Sequence, residues 1–237
     1  MKKYFLSKLE PFISQLAIPR ILDLGSGRSE NFVELLKKFP NLHYVGIEPN
    51  KSDADIARRV LAEFNNAKII NDLAYKLPIE ERDFDICISL STLEHVKDLK
   101  TFLKTSVESV KSGGVIIHRY DLGHALHPSS FKERFQVFVG NNFPWLLPES
   151  KFVSYVDCNW VVKELEYLGA KVFQTTYHQM PNHKAFLKLF KQDTEKKISL
   201  ANTIIEWEFA VSPEIASWPK KNREKLFPCL AVWAHKK

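Results

Sequence analysis

At 237 residues, with 45% hydrophobic and 26% charged side chains, the chain has the composition of an ordinary folded protein and enough length to bury a full core. Its three cysteines, Cys87, Cys158 and Cys229, lie far apart and form no CxxC pair, which excludes a disulfide scaffold or zinc ribbon and suits a reducing, cytoplasmic setting. No run of about 18 apolar residues occurs, so neither a membrane span nor a membrane partner is expected. The net charge of +6 is concentrated late, where residues 184–237 carry 11 Lys/Arg against 6 Asp/Glu. These include Lys184, Lys188 and Lys191 at helical spacing, then Lys220, Lys221, Arg223 and Lys225. Such a patch can attract phosphates, but a solvated helix face and polar loop account for it more simply.

In chain order, Tyr4 to Ala17 spaces Phe5, Leu6, Leu9, Ile13 and Leu16 as an amphipathic helix rather than a signal peptide. Ile18 to Leu24 reads as a buried strand ending in glycine. Ser29 to Phe39 reads as a helix closed by Pro40, and Leu42 to Ile47 as a strand. Ser52 to Phe64 reads as a helix with Ser52 as N-cap and Asp53 and Asp55 in its first turn. Lys68 to Ile70 and Phe84 to Leu90 follow as strands, then a helix from Asp98 to Val110. Gly113 and Gly114 turn the chain into a fifth strand, Val115 to Tyr120. Alternating strands and helices with short links predict a parallel sheet covered on both faces.

After Asp121 the rhythm stops. Residues 122–160 are rich in aromatics (Phe131, Phe135, Phe138, Phe143, Trp145, Phe152, Tyr155, Trp160), which are expected to form mainly the core beneath a lid. Val161 to Leu168 reads as a helix stopped by Gly169, Lys171 to Tyr177 as a sixth strand, and 178–227 as a second, irregular insertion. Leu230 to His235 is a last strand. The expectation is a single doubly wound α/β domain over 1–237, with lid insertions at about 122–160 and 178–227 near the carboxyl edge of the sheet.

In such a sheet the ligand sits beyond the carboxyl ends of the strands. The first strand runs into Gly25-Ser26-Gly27, where glycines permit a sharp turn and close approach, and the helix that follows offers free N–H groups. Asp23 precedes the turn, Glu48 ends the second strand and Asp72 follows the third. Three acids around one glycine turn describe a nucleoside-shaped pocket, with Glu48 suited to ribose hydroxyls and Asp72 to an adenine amine. A dinucleotide fingerprint would place glycine at position 30, but Glu30 stands there and would repel a pyrophosphate. Asp23 instead suits a cationic ligand, and S-adenosylmethionine carries an ammonium and a sulfonium.

These segments resemble the motifs of class I S-adenosylmethionine-dependent methyltransferases. Ile21-Leu22-Asp23-Leu24-Gly25-Ser26-Gly27 is similar to their first motif and Tyr44-Val45-Gly46-Ile47-Glu48 to their second. Phe84-Asp85-Ile86-Cys87-Ile88-Ser89 with Leu93-Glu94-His95-Val96 is similar to the fourth. Val110-Lys111-Ser112-Gly113-Gly114-Val115 is similar to the LKPGG turn, with Ser112 where proline is usual. The resemblance covers about residues 20–120 and implies a seven-stranded sheet whose terminal strand lies antiparallel between the fifth and sixth. It places Asp23, Gly25, Ser26 and Gly27 on the methionine side, Glu48 at the ribose and Asp72 and Leu73 at the adenine. Ser89 and Leu90 would form the far wall. His95 would sit behind the cofactor, or serve only as a structural histidine at a helix start.

Methyl transfer from a sulfonium needs alignment, exclusion of water and sometimes a base. The segment His118-Arg119-Tyr120-Asp121-Leu122-Gly123-His124 leaves the fifth strand at this edge, so His124, with His118 and Asp121, is the candidate catalytic group. Two other readings of these residues stay open: locally bonded loop histidines, and a metal set at i, i+3, i+6. The expected acceptor is an oxygen or nitrogen of a small molecule. The Asp121-Leu122-Gly123-His124 run resembles methyltransferases of sugar or polysaccharide biosynthesis. A nucleic-acid methyltransferase is an alternative that the basic late segment favours and the lack of a [DNS]-P-P-[YFW] run disfavours. A non-catalytic S-adenosylmethionine-binding subunit is another.

Overall fold

The computed structural model describes residues 2–78, 81–128, 130–148, 151–179 and 194–237. Its centre is one seven-stranded sheet: β1 (Arg20–Leu24), β2 (His43–Ile47), β3 (Ala67–Ile70), β4 (Phe84–Leu90), β5 (Val110–Asp121), β6 (Ala170–His178) and β7 (Cys229–Lys236). The order across it is β3-β2-β1-β4-β5-β7-β6. The pairs β1–β2, β1–β4, β2–β3 and β4–β5 are parallel, and β7 runs antiparallel to both its neighbours. This is the terminal-strand placement that the resemblance implies. All seven residues of β4 are buried, because helices cover both of its faces.

One face of the sheet packs on the amino-terminal helices α1 (Lys2–Leu6) and α2 (Glu10–Ile13) and on α3 (Val33–Lys38). The other carries α5 (Leu99–Ser109) and α8 (Cys158–Tyr167). The expected single amino-terminal helix is interrupted by a 3-10 turn at Ser7–Leu9. Ser7 Oγ donates to the Tyr4 carbonyl there, and Pro11, which has no N–H, opens α2. The apolar spacing still does its work. Phe5, Leu6, Leu9 and Ile13 are each at most 2% exposed, and their burial contributes roughly 6–12 kcal/mol as an upper bound.

Other boundaries shift for local reasons. Helix α4 (Lys51–Val60) is capped by Asn50, not Ser52, since the Asn50 side chain accepts from the backbone N–H of Ser52 and of Asp53. Strand β5 begins at Val110, and Gly113–Gly114 form an irregularity inside it: pairing jumps from Phe84–Val110 to Ile86–Val115.

The chain then forms α6 (Gly123–Leu126) and α7 (Phe131–Asn142). Here the expected aromatic core is corrected. Phe131, Phe135, Phe138, Phe143 and Trp145 are exposed, and within α7 only Val139 and Gly140 are buried. Helix α7 touches the body through Gly140, where an added Cβ would lie 2.1 Å from the Val153 carbonyl, so its phenylalanine stripe faces away. Phe152 is buried, and Tyr155 and Trp160 pack partly against the core. The second insertion is also corrected: where described it is helical, as α9 (Thr194–Ser217) and α10 (Lys220–Leu226). Lys184, Lys188 and Lys191 lie outside the described residues. Lys220 is committed to Asp157, and the Arg223 guanidinium sits 5.2 Å from the Tyr177 ring centroid. Among the described residues no helix is long and apolar enough to cross a membrane.

Candidate functional site

From β1 the chain crosses outward to β2 and β3, then returns to β4 on the other side of β1. A crevice therefore opens at the carboxyl ends of β1 and β4. There lies a half-enclosed cavity of about 740 Å³, within the range that takes a cofactor-sized ligand. The glycine turn forms one wall. The N–H groups of Gly25 and Ser26 donate to the Ile47 carbonyl at 2.8 and 3.0 Å, pinning the turn to the end of β2. Gly25 has φ +78°, and a Cβ on it would meet Thr92 Cγ2 at 2.4 Å. Gly27 has φ +56° with open space where a Cβ would stand. Ser29 and Ser91, also in the left-handed region, line the same cavity, so backbone strain is concentrated here.

Of the residues that the sequence proposes for the cofactor, Asp23, Gly25, Ser26, Gly27, Glu48, Leu73, Leu90 and His95 line the cavity. Asp23 is 3% exposed. The Tyr44 hydroxyl donates to its Oδ2 at 2.9 Å, while among the described residues Oδ1 has no hydrogen-bond partner. A buried carboxylate with a free oxygen at a cavity wall suits a cation. Glu48 accepts from the Gly27 N–H and from the Asn50 N–H, each at 2.8 Å, which fixes its carboxylate and leaves lone pairs for further donors.

Five predicted residues, Asp72, Ser89, His118, Asp121 and His124, do not line the cavity. Asp72 does not line the cavity: Oδ1 accepts from its own neighbour, the Leu73 N–H, at 2.8 Å and lies 3.2 Å from Lys76. The Leu73 N–H holds its carboxyl below the usual range, and Tyr75 reaches the cavity from the same segment instead. Ser89 and His118 are fully buried partners. His118 Nδ1 lies 2.8 Å from Ser89 Oγ and Nε2 3.0 Å from Ser106 Oγ, and burial drives the imidazole down to about 3. His118 is thus a neutral core residue, since residues on a strand alternate between faces and this one faces α5. Asp121 accepts from the Gly123 N–H at 2.7 Å and from the Gln179 amide at 3.2 Å, closing the turn into α6. The i, i+3, i+6 spacing therefore does not gather His118, Asp121 and His124 around one point.

His124 is exposed on α6, its ring 6.2 Å from that of His95. His95 Nδ1 lies 2.9 Å from the Phe152 carbonyl, which can only accept. The proton is therefore on Nδ1, and a neutral His95 keeps its basic lone pair on Nε2. Sequence reasoning missed Lys2, Thr92, Phe102 and Pro148, which also line the cavity. No motif marks them, because packing of distant segments brings them there.

Burial raises Asp23 to about 7, against lowering by the Tyr44 hydroxyl and Lys2 and a small further rise from Glu48. The sign is then determined. A folded-state acid raised this far binds protons between about 4 and 7 that the unfolded chain has lost, so its contribution to stability is present at low pH and lost as pH rises toward 7. A cationic ligand favours the ionised form. Affinity for S-adenosylhomocysteine, whose α-ammonium persists here, is expected to rise from pH 6 to pH 8, most steeply near 7. Calorimetry across this range checks it, and Asp23→Asn should flatten the profile.

Residues 22–118 match the methyltransferase domain family. Ajmaline N-methyltransferase of Rauvolfia serpentina is 28% identical over 143 residues, 56% of this chain and 49% of the relative. The chain thus spans about half the length of the curated relative it matches. Among solved structures, phosphoethanolamine N-methyltransferase 2 of Haemonchus contortus in complex with S-adenosyl-L-methionine superposes with a TM-score of 0.63. It is 17% identical, with 98% of this chain and 51% of that chain covered. A SAM-dependent methyltransferase of Archaeoglobus fulgidus gives a TM-score of 0.58 at 19% identity, with 100% of this chain and 95% of that chain covered. A sulfonium cofactor fits the unpartnered Asp23 oxygen, the open side of Gly27 and the cavity volume. With this sheet order, this glycine turn and this domain match over residues 22–118, the chain carries a methyltransferase domain on the fold of the class I S-adenosylmethionine-dependent methyltransferases.

Proposed function

We propose that the chain transfers a methyl group from S-adenosylmethionine to an oxygen or nitrogen of a small molecule. The observation that carries this reading is the cavity, lined at one end by Asp23 and Glu48 and at its wall by His95, with His124 beside it. When bound, S-adenosylmethionine supplies a methyl group already activated on a sulfonium. The chain's own residues would orient it through Glu48 and Asp23, exclude water with Leu90, Val96 and Phe102, and accept a proton where the acceptor must lose one. His124 is the residue proposed for that proton, and the His95 ring adjoins it at 6.2 Å. The relative named for N-methylation of ajmaline supports a small acceptor.

The test begins with binding. S-adenosylhomocysteine should bind in the micromolar range and NAD should not, and Glu48→Ala should weaken binding by about 1.5–3 kcal/mol by removing charge-assisted hydrogen bonds. Amines, sugar-like metabolites and RNA, assayed over a salt series, then separate the acceptor classes. Methylation of RNA alone, lost steeply with salt, would reverse the ranking.

A further inference from the structure

The Asp23 end of the cavity holds a cation that no motif announces. Lys2 lines the cavity, and its Nζ donates to the Leu90 carbonyl at 2.8 Å. Among the described residues it makes no ion pair, although Asp23 and Glu94 act on it electrostatically. Arg119 lies nearby, 3% exposed, with Nε unpartnered and its guanidinium 5.6 Å from the centroid of the Phe5 ring. Burial and this second cation lower Lys2, so an arriving anion would relieve an unfavourable site. The other Lys or Arg lining the cavity, Arg28, is already committed, its Nε 2.9 Å from Asp53 Oδ1. Lys2 is also not free to drift, because Phe5 and Leu6 of the same short helix are buried against the sheet.

We infer that Lys2 is the counter-charge for the α-carboxylate of the cofactor, so that Asp23 and Lys2 together read an amino-acid zwitterion. The chemistry is reciprocal. One carbon of the cofactor bears an ammonium and a carboxylate, and one corner of the cavity offers a carboxylate with an oxygen unpartnered among the described residues and an ammonium bonded to a neutral carbonyl. On cofactor binding the Lys2 ammonium exchanges or shares its Leu90 bond with the incoming carboxylate. The inference rests on the reading of the cavity as the cofactor site.

Calorimetry on the full chain tests it, using S-adenosylhomocysteine and its decarboxylated analogue S-adenosyl-3-thiopropylamine, which keeps the ammonium and the nucleoside. Lys2→Met should weaken S-adenosylhomocysteine binding by about tenfold or more, the scale of a charge-assisted hydrogen bond. It should leave the decarboxylated analogue within about twofold, and Lys2→Arg should restore most of the loss. Equal weakening of both ligands would show a role in packing only. Unchanged or tighter S-adenosylhomocysteine binding would show that Lys2 is a bystander or blocks the site. Either result overturns the inference. A wild-type chain that binds neither ligand overturns the cofactor reading itself, which keeps the two failures distinct.

Discussion

Replacing His124 with alanine is expected to lower methyl transfer by about 10²–10⁴-fold while leaving S-adenosylhomocysteine affinity within about twofold. Three histidines approach the carboxyl edge from β4 and β5, and their surroundings separate them. His118 is sealed between two serine hydroxyls and cannot reach an acceptor. His95 lines the cavity but spends Nδ1 on the Phe152 carbonyl. His124 follows β5 by three residues, is exposed, and lies 6.2 Å ring to ring from His95. It stands outside the cavity lining, and on the proposed reading its exposure lets it take a proton beside the cavity and pass it to water. Turnover of the His124→Ala and His95→Ala variants, measured with the same acceptor, separates their roles. A loss below about threefold for His124→Ala, with a large one for His95→Ala, would move the proton to His95. Small losses for both would mean that the acceptor arrives already deprotonated, as a neutral amine does.

Glu208→Ala is expected to cost about 2–6 kcal/mol of folding stability, the scale for leaving two buried hydrogen-bond donors without an acceptor. Glu208 is 0% exposed on α9. Its Oε2 lies 3.0 Å from His178 Nδ1, and its Oε1 accepts from the Gln179 N–H at 2.7 Å. The proton positions along this chain are dictated by the donor at its far end. The Trp233 indole can only donate, and it does so to Thr176 Oγ1 at 3.1 Å. The threonine proton then goes to His178 Nε2, 2.7 Å away, and Nδ1–H donates to Glu208. Burial holds His178 below its usual range despite the carboxylate, so this order suits a neutral ring. The network ties α9 to β6 and β7. Glu208→Gln, which keeps an acceptor oxygen, should lose less than half as much. Urea denaturation monitored by circular dichroism measures both, and a loss under about 1 kcal/mol for the alanine variant would falsify the account.

Much of the site was legible because its parts are local. The glycine turn, Asp23 and Glu48 each sit at the end of a short apolar run, and a strand that ends in the crevice delivers its last residue there. Asp72 obeys the same pattern but does not line the cavity, since its carboxylate bonds the N–H of the next residue. His118 fails for a related reason. Spacing along a strand does not say which face is covered, and here the covered face meets the serines of β4 and α5.

The sequence by itself determined the order of strands and helices, the carboxyl edge as the place of the cavity, and the acid beside a glycine turn that lines it. Periodicity and turn chemistry are properties of a few consecutive residues. Tertiary structure alone decided that Lys2 stands against Leu90, 88 residues away, and that the Phe131, Phe135 and Phe138 stripe stays exposed. It alone also decided that His95 and His124 meet while His118 turns into the core. Each of these depends on which distant surface covers a side chain, and burial by a distant partner leaves no period and no spacing along the chain to read.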